Sequence, residues 1–131
     1  MTVHPALRQL LEDDIQETIE AIATPLRRVS PHASEMVHSQ LLADTATICE
    51  SIWLLVQGPE YLSQGLHVFN EYLQRRRKVG FEERELHSML ETCRQILFKL
   101  LASSAKDEQA TSRQQLENAI AQLDNMIAIQ R

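Results

Sequence analysis

The stretch LHVFNEYLQRRRKVGFEERELHSMLETCRQILFKLL, Leu66 to Leu101, decides the fold. Leu66, Phe69 and Leu73 recur at helical spacing, with Val68 and Tyr72 beside them. Four consecutive cations, Arg75 to Lys78, follow at a point where positive side chains suit the negative end of a helix dipole. Gly80 is placed to take the left-handed conformation that ends a helix, and Phe81 to make the hydrophobic contact that seals such an end. Glu82, Glu83 and Glu85 then open a second helix, whose face is Leu86, Met89, Leu90, Cys93, Leu97, Leu100 and Leu101. The pattern predicts a helical hairpin with a sharp corner.

Upstream of the hairpin, Gly58-Pro59 marks the clearest boundary in the chain, a helix stop followed at once by a helix start. The helix before it runs through Met36, Val37, Leu41, Leu42, Ile48, Cys49, Ile52, Leu55 and Val56, with Thr45 a weaker link in the stripe. Its last turns, IWLLV, are apolar nearly all round. Such a segment is expected at the centre of a bundle or against a second subunit, with Trp53 either in the core or at that second contact. Ser30-Pro31 reads as its start, a capping serine before a proline at the first helical position, with Ser34 a rival cap. Further back, Leu7, Leu10, Leu11, Ile15, Ile19, Ile22 and Leu26 form one stripe after Pro5, opposite a solvated face of Glu12, Asp13, Asp14, Glu17 and Glu20. Pro25 is expected to kink or end that helix, since it lacks a backbone donor.

Downstream, SSAKDEQATS is small and polar, and Thr111 with Gln114 resembles a capping box. In the final helix Leu116, Ile120, Leu123, Ile127 and Gln130 fall at spacings of four, three, four and three, a heptad seam that Ala119 and Met126 widen. Two heptads do not hold a coiled coil alone, because short isolated helices are marginal in water. The seam therefore packs on the chain's own core, pairs with a copy of itself, or continues into a further domain. Residues 1–105 read as a helical core and 106–131 as the heptad helix that docks on it or on a dimer partner.

At 131 residues the chain suits one domain, large enough for a core without staples. Three glycines and four prolines leave little material for hairpins or phosphate loops, so the fold class is all-α. A net charge of −5 argues against general nucleic-acid binding, which calls for a basic face. The longest strongly apolar run, Ile52 to Val56, falls far short of the roughly 20 residues a membrane span requires. The N-terminus carries no signal-peptide pattern, and a cytoplasmic location is expected. Cys49 and Cys93 both fall on apolar helix faces and read as buried small hydrophobes, with no zinc-ligand spacing around them.

Motifs that would carry chemistry are weak. His38, His67 and His87 lack the patterns of phosphotransfer domains and of kinase dimerisation helices. A haem ligand needs only one histidine on an apolar wall, and His67 or His87 would be the candidates. One ExxH pair occurs, Glu35 with His38, where a di-metal carboxylate bundle needs two. No HExxH, GxSxG or Walker-type loop is present. The Arg75 to Lys78 run suits a helix end first, and a phosphate or an acidic partner second. No enzymatic activity, cofactor or metal is expected.

The stretch YLQRRRKVGFEERELHSMLETCRQILFKLL resembles the RsbR/RsbRD-type N-terminal sensor domains, through Arg75, Arg76, Arg77, Gly80, Phe81, Leu86, Leu90 and Arg94. The preceding LADTATICESIWLLVQGPEYLSQGLHVFNEYL is similar to that family's upstream helix pair, so the likeness covers roughly residues 6–102. The resemblance implies a single-domain globin-like helical bundle of about five helices, without haem. It also implies a homodimer formed largely by terminal helices, and a sensory role upstream of an output domain or partner protein. No ligand residue carries over. Residues expected at the dimer interface are Leu7, Leu11, Ile15, Leu116, Ile120, Leu123 and Ile127. Two other readings stand beside this one: a haem-binding globin-type sensor, and a small helical adaptor or chaperone for a partner helix.

Overall fold

The computed structural model describes residues 5–103 and 109–129, with side chains of the last stretch from 111 onward. It is all-helical. The order is α1 (Pro5–Arg8), a π-helical turn (Gln9–Asp13), α2 (Ile15–Val29), α3 (Pro31–Glu35), α4 (His38–Gln57), a 3-10 turn (Pro59–Tyr61), α5 (Leu62–Lys78), α6 (Glu83–Ala102) and α7 (Gln109–Ile129). The seven α-helices among the described residues exceed the expected five, because the N-terminal third is cut into short pieces. None of these helices is long and apolar enough to cross a membrane.

The first break is the π turn. The Asp14 N–H donates to the Gln9 carbonyl at 2.8 Å, five residues back, which inserts one residue into the helical turn. Thr18 Oγ1 donates to the Leu10 carbonyl at 2.8 Å in the interior and ties α2 back to the π turn. Leu7 before the break, Leu10 and Leu11 within it, and Ile19, Ile22 and Leu26 after it are all buried.

Of the two outcomes expected at Pro25, a kink or an end, the end does not occur: α2 runs through it to Val29. The proline leaves the Ala21 carbonyl without its helical donor, but Ala21 is exposed and water can supply one. Buried Ile22, Ala23 and Leu26 hold the turn in place.

Ser30 caps α3 as anticipated, its Oγ accepting from the Ala33 N–H at 3.1 Å, with Pro31 at the first helical position. Ser34 is no cap; its hydroxyl donates back to the Pro31 carbonyl. The expected continuous helix from Ser30 to Val56 is interrupted, because Met36 and Val37 take extended backbone angles (ψ 145° and 149°) and α4 starts anew at His38. Arg27 bridges this break by donating to the Ala33 and Ser34 carbonyls at 3.4 and 3.1 Å, two of the groups a helix end leaves unpaired.

The bundle is centred on α4, which packs against α2, α5 and α7. Ile52, Leu54 and Val56 of the IWLLV segment are buried, while Trp53 is partly exposed with the Arg8 guanidinium 5.7 Å from its ring centroid. α7 lies on α4, α5 and α6 and shares their core, so Leu116, Ala119, Ile120, Leu123 and Ile127 join the same cluster as Leu41, Ile48, Phe69 and Leu97. Thr111 and Gln114 lie inside α7 rather than at its start, and Gln130, the last seam position, lies outside the described residues.

Candidate functional site

The corner between α5 and α6 forms as its sequence indicates. Gly80 has φ 99°, the Phe81 N–H donates to the Arg76 carbonyl and the Gly80 N–H to the Arg77 carbonyl, both at 3.1 Å. This double bond pattern is a Schellman end, and Phe81 is buried behind it. Glu82 and Glu85 exchange side-chain and backbone hydrogen bonds in a capping box that opens α6.

Glu85 does more than cap. Its carboxylate accepts from Ser30 Oγ at 2.6 Å, from the His32 N–H at 3.2 Å, from His32 Nδ1 at 2.8 Å and from the Glu82 N–H at 3.1 Å. Burial by itself raises this carboxyl, but the donors, Ser30 first, outweigh it and bring it down to about 2. An ionised carboxylate only accepts, so the His32 Nδ1 carries the proton and Nε2 is left with its lone pair in the neutral ring. The residue types are those of a hydrolytic triad, but the arrangement is not. The Ser30 hydroxyl gives its proton to the carboxylate and its lone pair to Ala33, whereas a nucleophile would give its proton to the histidine. The knot fastens the α2–α3 connection to the start of α6.

Behind the corner lies a second buried pair. Arg76 Nε stands 3.3 Å from Asp44 Oδ2, and both atoms are shut off from solvent without completing a hydrogen bond to each other or to any other described residue. The Arg76 guanidinium also lies 5.6 Å from the Phe81 ring centroid. Desolvation raises the Asp44 carboxyl, and Arg76 and then Arg75 pull it back part of the way.

The third feature is the dock of α7. Its buried seam is rimmed by polar ties. Arg94 donates to Glu117 from Nε at 2.6 Å and from a terminal nitrogen at 3.1 Å, and its guanidinium stacks 4.7 Å from the Phe98 ring centroid, as Arg113 does too. The Arg94 hydrogen bonds lower the Glu117 carboxyl. His87 Nδ1 meets Asp124 Oδ1 at 2.6 Å, and Arg77 donates to the Ile127 carbonyl at 2.8 Å.

The residues anticipated as an interface fall as follows. Leu7, Leu11, Leu116, Ile120, Leu123 and Ile127 are all at most 5% exposed within the single chain. Leu116 to Ile127 face α4–α6, and Ile15 is half-buried along a groove with Leu11, Ala46 and Trp53. The seam is thus occupied by the chain's own core. Of the two histidines considered for haem, His67 is exposed on α5 and pairs with Glu71 four residues on. His87 borders only an open groove with Val29, Ser88 and Thr92, beside its tie to α7. Neither faces an enclosed apolar pocket. Glu35 and His38 are separated by the extended Met36–Val37 bend, and no trio of His, Cys, Asp or Glu among the described residues is placed to hold a metal. Cys49 and Cys93 are buried, and burial pushes the Cys49 thiol up to about 12 and Cys93 well above its usual range.

Sequence reasoning missed Glu85, which reads there as one more acid at a helix start, and His32, whose partner is 53 residues away. It also missed Asp44, hidden as a polar gap in the α4 stripe. Only the Glu82/Glu85 spacing carried a local signal. Comparisons with protein-family models, with curated proteins and with solved structures find no match.

Proposed function

We propose that the chain is a non-catalytic regulatory input domain in which α7 conveys a change of state outward. The observation that carries this reading is how α7 is held. Its apolar seam is buried on α4–α6, while the ties through Glu117 and Asp124 sit at the surface, with Glu117 44% and Asp124 53% exposed. Such ties are individually weak and can be altered from solvent without breaching the core. The sequence likeness to RsbR-type input domains supports the same reading. A globin-like arrangement of the helices, and an output domain or partner protein that receives α7, belong to the proposal. So does a homodimer. Since the seam is filled within one chain, the dimer would form by exchange of α7, which keeps every contact while changing its owner.

Hydrogen exchange on the chain, on Glu117→Gln and on Asp124→Asn, combined with light scattering over a concentration range, tests this. The expected result is faster exchange confined to α7, with α4 and α6 unchanged, and a dimer whose population rises with concentration. A strict monomer whose α7 exchanges only together with the whole domain overturns the reading.

A further inference from the structure

One recess on the molecule combines a buried arginine with apolar walls. It lies where the α3–α4 bend meets the α5–α6 corner and holds about 280 Å³. Met36, Val37, Val79 and Phe81 form its apolar sides, and Val37 and Val79 are 66% and 58% exposed at its mouth. Arg76 is more than nine-tenths buried and lines it. A guanidinium has five N–H donors in a fixed fork, and this one completes no hydrogen bond with any described residue. Nε stands 3.3 Å from Asp44 Oδ2, out of line for a hydrogen bond, and the two terminal nitrogens form no hydrogen bond with a described residue. His32 adds a ring whose Nδ1 is committed to Glu85, and Gln40 adds an exposed amide at the rim.

We infer that this recess is a binding site for a small monocarboxylate with a short branched or linear apolar body, held by Arg76 through its terminal N–H groups. A carboxylate matches the arginine fork in a two-point contact. The walls then cover the hydrocarbon, and the volume limits it to a few carbons, at the small end of ligand sites. A more highly charged anion such as phosphate fits less well, because Glu35 stands at the rim and Asp44 lies behind the arginine. The inference goes beyond the regulatory reading and does not depend on it, since it rests on the recess alone.

Titration of the ¹⁵N-labelled full chain with sodium isovalerate, followed by amide and arginine side-chain resonances, tests the site. Isovaleramide and inorganic phosphate serve as comparison probes. The expected result is saturable shifts confined to residues 32–40 and 76–81, with a dissociation constant of about 1 mM, a weak affinity. The neutral amide should bind at least about tenfold more weakly, since it lacks the charge-assisted pair. Gln40→Glu, a surface change that leaves the core untouched, should weaken binding about fivefold by placing a like charge at the rim. Asp44→Leu/Arg76→Met, with its fold checked by the same spectra, should abolish it. Equal binding of acid and amide, phosphate binding as tight as isovalerate, absence of saturation, or no effect of Gln40→Glu would each overturn the assignment.

Discussion

The α5–α6 corner and the N-terminal third of the chain are built from the same materials: a proline or glycine, a capping side chain and an apolar stripe. They differ in where their partners lie. At the corner, Arg76, Gly80, Phe81, Glu82 and Glu85 complete the Schellman end and the capping box within ten residues of chain. In the N-terminal third, Ser30 and His32 are fixed by Glu85, more than fifty residues on, and Arg27 spans a break that no local signal announces. Local completion makes a structure readable; distant completion makes it depend on the rest of the fold.

The comparison can be broken most forcefully at Arg76. Arg76→Met leaves Asp44 buried without its counter-charge and should cost about 4 kcal/mol in denaturant unfolding. Asp44→Leu/Arg76→Met should recover most of that loss, because removing both charges removes the uncompensated one. If the single variant is as stable as the parent, the pair plays no part in the corner.

Glu85 joins the two regions, and its contribution depends on pH. Its carboxyl sits at about 2 in the folded chain against an ordinary 4.5, so its stabilisation is present above pH 4.5 and is lost as pH falls toward 2. That difference corresponds to about 3 kcal/mol. Glu85→Gln should remove this part of the acid sensitivity. Unfolding curves of parent and variant over that window should converge as pH falls; parallel curves would refute the assignment.

In the N-terminal third, Pro25→Ala should raise stability by about 2 kcal/mol. A proline inside a helix costs about 3 relative to alanine, and its stiffening of the unfolded chain offsets about 1. A loss instead would mean that Pro25 holds a contact that the helix needs. The smallest effect is expected at the corner's glycine. Gly80→Ala should cost about 1 kcal/mol, since φ is 99° there and a Cβ would stand 3.2 Å from His32 Nε2. No measurable change in thermal unfolding would show that the corner tolerates a side chain.

The helices whose stripes lie on one side and whose ends carry glycine, proline or paired acids were legible in the sequence. Gly58-Pro59, the α5–α6 hairpin, the Ser30 cap and the α7 seam all stand where the residues indicated. The stripe Leu7 to Leu26 was read correctly as buried, but its backbone was not. Leu7, Leu11, Ile15, Ile19, Ile22 and Leu26 keep ordinary helical spacing in the sequence, so nothing in the side-chain pattern marks the π turn among them. At Pro25 only one of the two expected outcomes, an end of the helix, is absent: the helix continues where Ile22, Ala23 and Leu26 are buried. The seam of α7 has the same spacing whether its neighbours belong to one chain or two, and in the single chain it packs on α4–α6. As for the site, Arg76 was visible only as one of four cations, and nothing nearby in sequence singles out the member that turns inward beside Asp44.

The two sealed thiols make the domain its own gauge of opening. Cys49 on α4 and Cys93 on α6 belong to the layers that α2 and α7 cover, and neither forms a thiolate readily while it is enclosed. A thiol reagent in excess therefore reads out how often the bundle gapes and which side gapes first. Labelling at Cys93 ahead of Cys49, or the reverse, turns a question about signal relay into a pair of clock rates, with no dye, tag or cofactor added to the chain.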